Sequence, residues 1–152
     1  MMKTEIQKII DIVTHTFEKN AWHGPAVKEV LAKLKPEHAR LTAGNSHTIE
    51  ELVRHMAAWR NYVIKKLQGD ERFELSDEDN FPARKNWEEA LRMLEESQLN
   101  LVAALKNTPD EVLSKKVPGR PFNFFTMLHG IIHHDLYHTG QIMMILKGNG
   151  QA

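Results

Sequence analysis

The closing stretch His129-Gly-Ile-Ile-His-His-Asp-Leu-Tyr-His138-Thr-Gly-Gln141 holds four of the chain's nine histidines within thirteen residues. Read with a helical period, His134 and His138 lie one turn apart on one face. Carried outward, the same period puts Met127, Ile131, His134, His138, Gln141 and Ile145 together and predicts a helix over 124–147 that stops at Gly148. Phe125, Ile132, Leu136 and Met143 form a second apolar line nearly opposite. A helix apolar on two sides is central or shared with a partner. The second line is therefore expected to contribute to a homodimer interface.

Three further long helices precede this one. Ile6, Ile9, Ile10, Val13 and Phe17 recur at three- and four-residue spacing over 3–20, with Thr4 placed to cap the start. Thr48 followed by Glu51 matches a capping box and opens a helix to about Leu67, with the stripe Ile49, Leu52, Met56, Trp59, Val63, Leu67 and a stop at Gly69. Asn86 caps a helix over 86–107 with Trp87, Leu91, Leu94, Leu101 and Leu105 toward the core. Pro25 suits the first turn of an extra short helix carrying Val27, Val30, Leu31 and Leu34, and Pro36 ends it or begins another turn. Residues 70–85 show neither period. A polar connection that long is a lid or a crossover, and a crossover between helices that are not antiparallel neighbours is favoured. Residues 109–123, with Pro118-Gly-Arg-Pro121, read as a loop. Strand signals are almost absent, so the expected fold is all-α: a four-helix bundle with one extra short helix, not in simple up-down-up-down order.

Composition bounds the chemistry. The 152 residues suit a single domain over 1–152, which buries roughly 68–70% of its unfolded surface without disulfides. There is no cysteine, so thiolate ligands and a cysteine nucleophile are excluded. Lys plus Arg equals Asp plus Glu at 20 each, and no basic patch interleaved with aromatics argues for nucleic acid. The opening Met1-Met-Lys-Thr-Glu-Ile-Gln-Lys8 has no apolar core and does not read as a signal peptide. No apolar run reaches the ~20 residues that span a bilayer. A soluble cytoplasmic protein without membrane or nucleic-acid partners is expected.

An isolated histidine on a helix is ordinarily exposed, or buried with a hydrogen bond. The pair His134 and His138 differs because it projects into the core-facing stripe. Two imidazoles buried without partners would cost about 1–3 kcal/mol each. A metal ion resolves that, as water or hydrogen-bonded side chains also would. A third ligand must come from another helix, and the candidates at core edges are His55 and Glu51: His55 for zinc, nickel or copper, Glu51 for harder ions. His47 is a cap or pocket residue. His15 and His38 are expected in solvent, His23 in solvent or a pocket, and His129 away from His134. His133 lies about 100° from His134 on the wheel, beside the site or at an interface. Gly130, four residues before His134, leaves room for a substrate or permits close helix packing, the commoner reason. Asp135 and Gln141 are placed to hold a ligand's far nitrogen. Tyr137 is placed to donate to an oxygen at the site or to lie at a helix edge.

Two stretches, His47-Thr-Ile-Glu-Glu-Leu-Val-Arg-His55-Met-Ala-Ala-Trp59 and Gly130-Ile-Ile-His-His-Asp-Leu-Tyr-His138-Thr-Gly-Gln141, resemble the DinB-like superfamily (DinB/YfiT-like metalloenzymes). Trp22-His-Gly-Pro-Ala-Val-Lys-Glu-Val-Leu31 and Val117-Pro-Gly-Arg-Pro121 extend the likeness over nearly the full length. The resemblance implies a four-helix bundle, often dimeric, with a divalent ion, nickel or zinc, on three histidines. Carried onto this sequence, these are His55, His134 and His138. Some relatives transfer low-molecular-weight thiols such as bacillithiol or mycothiol, and others are isomerases or hydrolases. Three ligands leave an open position, the mark of a catalytic metal. The expected function is a metal-dependent enzyme that activates a thiol or water, thiol S-transferase ahead of hydrolase, with Glu51 or His133 as base. The alternative is a non-catalytic, metal-stabilised dimeric stress-related module.

Overall fold

Thr4 and Thr48 each open a long helix by the same reciprocal device. The Thr4 hydroxyl accepts from the Gln7 amide while the Gln7 side chain accepts from the Thr4 amide, starting α1 (Glu5–Phe17). Thr48 and Glu51 do the same at 3.2 and 2.7 Å. Each arrangement satisfies two amides that a helix start otherwise leaves unpaired. The computed structural model describes residues 2–151. Within it α2 (Val27–Leu31) and a 3₁₀ turn (Pro36–Arg40) follow α1. Then come α3 (Ile49–Leu67), the short α4 (Asp77–Asn80), α5 (Trp87–Lys106), a second 3₁₀ turn (Asp110–Val112) and α6 (Phe124–Gly148). Asn86 and Asn123 cap α5 and α6 through their side chains. Among the described residues no helix is long and apolar enough to cross a membrane.

Two local expectations fail. Pro25 lies before α2 rather than in its first turn, because extended Ala26 takes the cap position, its amide donating to Glu29. His38 is buried rather than solvated: the 3₁₀ turn folds its ring inward, where Nδ1 accepts from the Lys35 amide. A 3₁₀ turn brings residues three apart into register, which a pattern read at 3.6 residues does not anticipate.

The four long helices form a bundle in which α3 and α5 run parallel. Arg54 early in α3 donates to the Asn86 carbonyl at the start of α5, and mid-helix Arg60 reaches Gln98 at 2.6 Å. Helix α6 runs antiparallel to α3, since His55 meets His134 and Arg60 meets Asp135. Ile6 packs in one cluster with Leu101, Leu105 and Leu128, and Phe17 in a second with Leu94 and Ile142. So α1 is antiparallel to α5 and parallel to α6. Parallel neighbours need a connection as long as the bundle, and residues 68–86 supply it. Lys66 anchors its start on the Glu71 carbonyl at 2.8 Å, and buried Glu50 anchors its end on the Lys85 amide at 2.8 Å.

Between the two apolar clusters lies a buried ionic layer. Arg60, fully inaccessible, donates to both Asp135 carboxylate oxygens (2.5 and 3.2 Å) and to Gln98, and its guanidinium lies 4.5 Å from the centre of the Phe17 ring. The second apolar line of α6 is partly consumed inside the chain. Ile132 is buried in the cluster with Ile6 and Leu101, because α6 packs against α1 and α2 as well as α3. Phe125 remains exposed.

Candidate metal centre

The antiparallel crossing of α3 and α6 brings three imidazoles to one point. His134 Nε2 lies 3.0 Å from His55 Nε2 and 3.1 Å from His138 Nε2. An ion bound at ~2.0–2.1 Å to each nitrogen holds its ligands roughly 3 Å apart. Among the described residues this is the group of His, Asp, Glu or Cys side chains that can hold a metal ion.

The protons make the same point. His55 Nδ1 contacts the Asn80 carbonyl at 2.5 Å. A carbonyl only accepts, so Nδ1 carries the hydrogen and Nε2 presents a lone pair. His138 Nδ1 donates in the same way to Gln141 Oε1 at 2.6 Å. His134 has one proton at most to offer two facing lone pairs, and its buried Nδ1 has no partner. Every tautomer leaves a buried nitrogen unsatisfied, at about 1–3 kcal/mol. A cation meeting three lone pairs removes that deficit. All three rings are held neutral, as ligation requires. Burial first, and the neighbouring histidines second, push His134 down to about 3. Burial pushes His55 down to about 4 against the opposing Asn80 hydrogen bond. Burial likewise lowers His138.

The three nitrogens stand at the wall of a cavity of about 560 Å³ lined mainly by apolar and aromatic side chains, among them Trp59, Met127, Ile131 and Tyr137. The long crossover builds one side of it. The Phe81 ring is stacked between His55 (4.0 Å) and the exposed His47 (3.6 Å), and Trp59 Nε1 donates to Asn80 Oδ1 at 2.9 Å. The aperiodic 70–85 segment is thus both crossover and wall. Asn80 and Phe81 escaped sequence reading because neither lies on a periodic element, and a backbone carbonyl leaves no trace in residue type.

Of the residues singled out from sequence, Gln141 holds a ligand's far nitrogen as expected. Asp135 does not: its carboxylate is taken by Arg60, an internal partner that helical spacing alone could not supply. Burial pushes that carboxyl up and the Arg60 charge opposes the shift. Glu51 does not line the cavity; its carboxylate closes the Thr48 capping box. Burial raises the Glu51 carboxyl, but the Thr48 hydrogen bonds outweigh it and hold it below the usual range. His133 is exposed in a separate groove with His15, His23 and His129. Gly130 lines the cavity, and a Cβ added there would meet nothing within 4 Å, so close helix packing is not its reason. Tyr137 lies edge-on to His138, with 5.1 Å between ring centres, and lines the cavity.

The sequence matches the model of the DinB family over residues 2–152. No curated protein and no solved structure matches it.

Proposed function

The chain belongs to the DinB family, and on that premise we propose that it is a metal-dependent enzyme whose divalent ion, nickel or zinc, sits on His55, His134 and His138. The observation that carries the proposal is the convergence of three lone-pair nitrogens on the wall of an open cavity. A purely structural ion is enclosed by four protein ligands, and an open cavity beside three speaks against that reading. When bound, such an ion supplies the Lewis acidity that makes a thiol or a water nucleophilic at neutral pH. The chain's own groups do the rest. The Asn80 carbonyl and Gln141 fix the tautomers of His55 and His138. The apolar walls lower the local dielectric and so strengthen electrostatic interactions inside. Tyr137 offers a hydroxyl to an oxygen of the substrate.

The favoured reaction is transfer of a low-molecular-weight thiol to an electrophile, with hydrolysis as the alternative. Neither Glu51 nor His133 lines the cavity, which leaves the nucleophile's proton to solvent at the cavity mouth. The test is elemental analysis of protein purified without an affinity tag, followed by a transfer screen with several low-molecular-weight thiols. About one ion per chain, lost in His138→Ala, together with thiol-dependent turnover, is the expected result. Fewer than about 0.1 ion per chain after adding zinc or nickel would remove the metal reading. Full loading without turnover of any thiol, amide or ester would remove the enzymatic one.

A further inference from the structure

The walls of the cavity beside the three histidines carry no formally charged side chain. No Lys, Arg, Asp or Glu lines it, and its polar side chains other than histidine, such as Asn80, Thr126 and Tyr137, are uncharged. The nearby guanidinium of Arg120 is engaged elsewhere: Nε donates to the Tyr62 hydroxyl at 2.9 Å and Nη2 binds Glu74. A charged group entering this space would lose hydration with no ionic partner on the walls, whereas an apolar body would meet aromatic and aliphatic surface.

Gly130 adds a second observation. It lies inside α6, where its backbone is ordinary right-handed helix and needs no glycine. Nothing stands within 4 Å of an added Cβ, so packing needs none either. The remaining consequence of the missing side chain is open volume one turn before His134, on the cavity wall.

We propose that this cavity takes an uncharged, predominantly apolar substrate body, and that Gly130 is the residue that sets the room for it beside the histidines. In a thiol transfer this body belongs to the electrophile, because the walls offer nothing to bind the charges that small thiols commonly carry. The assignment rests on the reading of the three histidines as the reacting end of the cavity. The binding preference itself can be measured without any reaction.

The experiment titrates benzyl alcohol, benzylammonium and benzoate into protein stripped of metal with a chelator, so that no ion contributes its own charge. Binding is read by chemical-shift changes of the Trp59 indole. The expected result is binding of the alcohol at least roughly tenfold tighter than of either charged probe. Gly130→Leu should weaken the alcohol by about tenfold or more, while zinc uptake stays at the wild-type level. Alanine and leucine are better helix formers than glycine, so folding is not at risk, and Gly130→Ala provides the graded intermediate. Equal or tighter binding of a charged probe, or a Gly130→Leu protein that binds the alcohol as wild type does, overturns the proposal. The preference intact with no turnover of any substrate sinks the enzymatic reading alone. Turnover without the preference sinks this inference alone.

Discussion

Replacing Asp135 by alanine tests what the ionic layer does. Arg60 has no accessible surface, and among the described residues its ionic contacts are the two to the Asp135 carboxylate; Gln98 and the Phe17 ring would remain. Removing one partner of a buried pair leaves an uncompensated charge and costs ~3–5 kcal/mol. For a chain of this size, at ~2–4 °C per kcal/mol, the melting temperature should fall by roughly 6–20 °C. Urea unfolding of the metal-free protein measures the free-energy loss directly. The double variant Arg60→Met, Asp135→Leu should recover most of it, since apolar replacement of both charges removes the desolvation along with the attraction. A single-variant loss below about 1 kcal/mol, the worth of a surface pair, would refute the reasoning, as would a double variant no better than the single. Zinc affinity of folded Asp135→Asn separates this role from ligand orientation. It should stay near wild type, whereas a drop of about 10–100-fold would mean that Asp135 positions a histidine after all.

Gln141→Ala frees the His138 ring to rotate or change tautomer, and should weaken zinc binding about 10–100-fold while changing stability little; a competition titration against a chromophoric chelator reads it. The metal-free protein should lose stability on acidification. His55, His134 and His138 are all lowered below the ordinary histidine value by burial, so the unfolded chain takes up their protons first. The contribution of His55 and His134 is fully present above about pH 6.5 and is lost as the pH falls through about 4 for His55 and about 3 for His134, and His138 acts in the same direction. Urea midpoints between neutral pH and pH 4.5 should therefore decline more steeply in wild type than in His134→Gln, and equal slopes would contradict it. Phe81→Ala removes the ring stacked on His55 and should speed proteolysis of the 70–85 crossover in metal-free protein, with protection restored by zinc. A crossover as resistant as wild type would show that Phe81 does not hold it down.

Local signals are legible in the sequence where a side chain closes the cap, and not where backbone conformation decides, as at Ala26 and His38. Thr4, Thr48 and Asn86 announce helix starts because a cap is satisfied by residues within three positions. The pair His134 and His138 is legible because both lie on one turn of one helix. The ligand role of His55 is different. Spacing leaves Glu51 open as its rival, and the choice between them owes much to the likeness to a known family, since which face of α3 meets α6 is a property of the packed bundle. Asp135 failed for the same reason in reverse: its neighbours in sequence are histidines, but its partner is Arg60, 75 residues away. Gly130 was legible as a gap but not as to its use, because whether missing volume is filled by a neighbouring helix depends on where that helix runs.

The topology and the site are one construction. With α3 and α5 parallel, the chain must travel back along the bundle before α5 can begin. That return carries Ser76 to Phe81 across the mouth of the α3–α6 crossing. Ser76 caps α4 by accepting from the Asp79 amide. This single helical turn then ends at Asn80, whose carbonyl meets His55 and whose side chain meets Trp59. A helix end has unpaired carbonyls to offer, and here one of them sets the tautomer of a candidate ligand. An up-down-up-down bundle would join its helices by short loops at the ends and leave His55 without that partner. The long polar segment that looked least informative in the sequence therefore supplies both the fixed hydrogen bond on one histidine and the aromatic wall of the cavity. Changes to its length should disturb the candidate metal centre before they disturb the core.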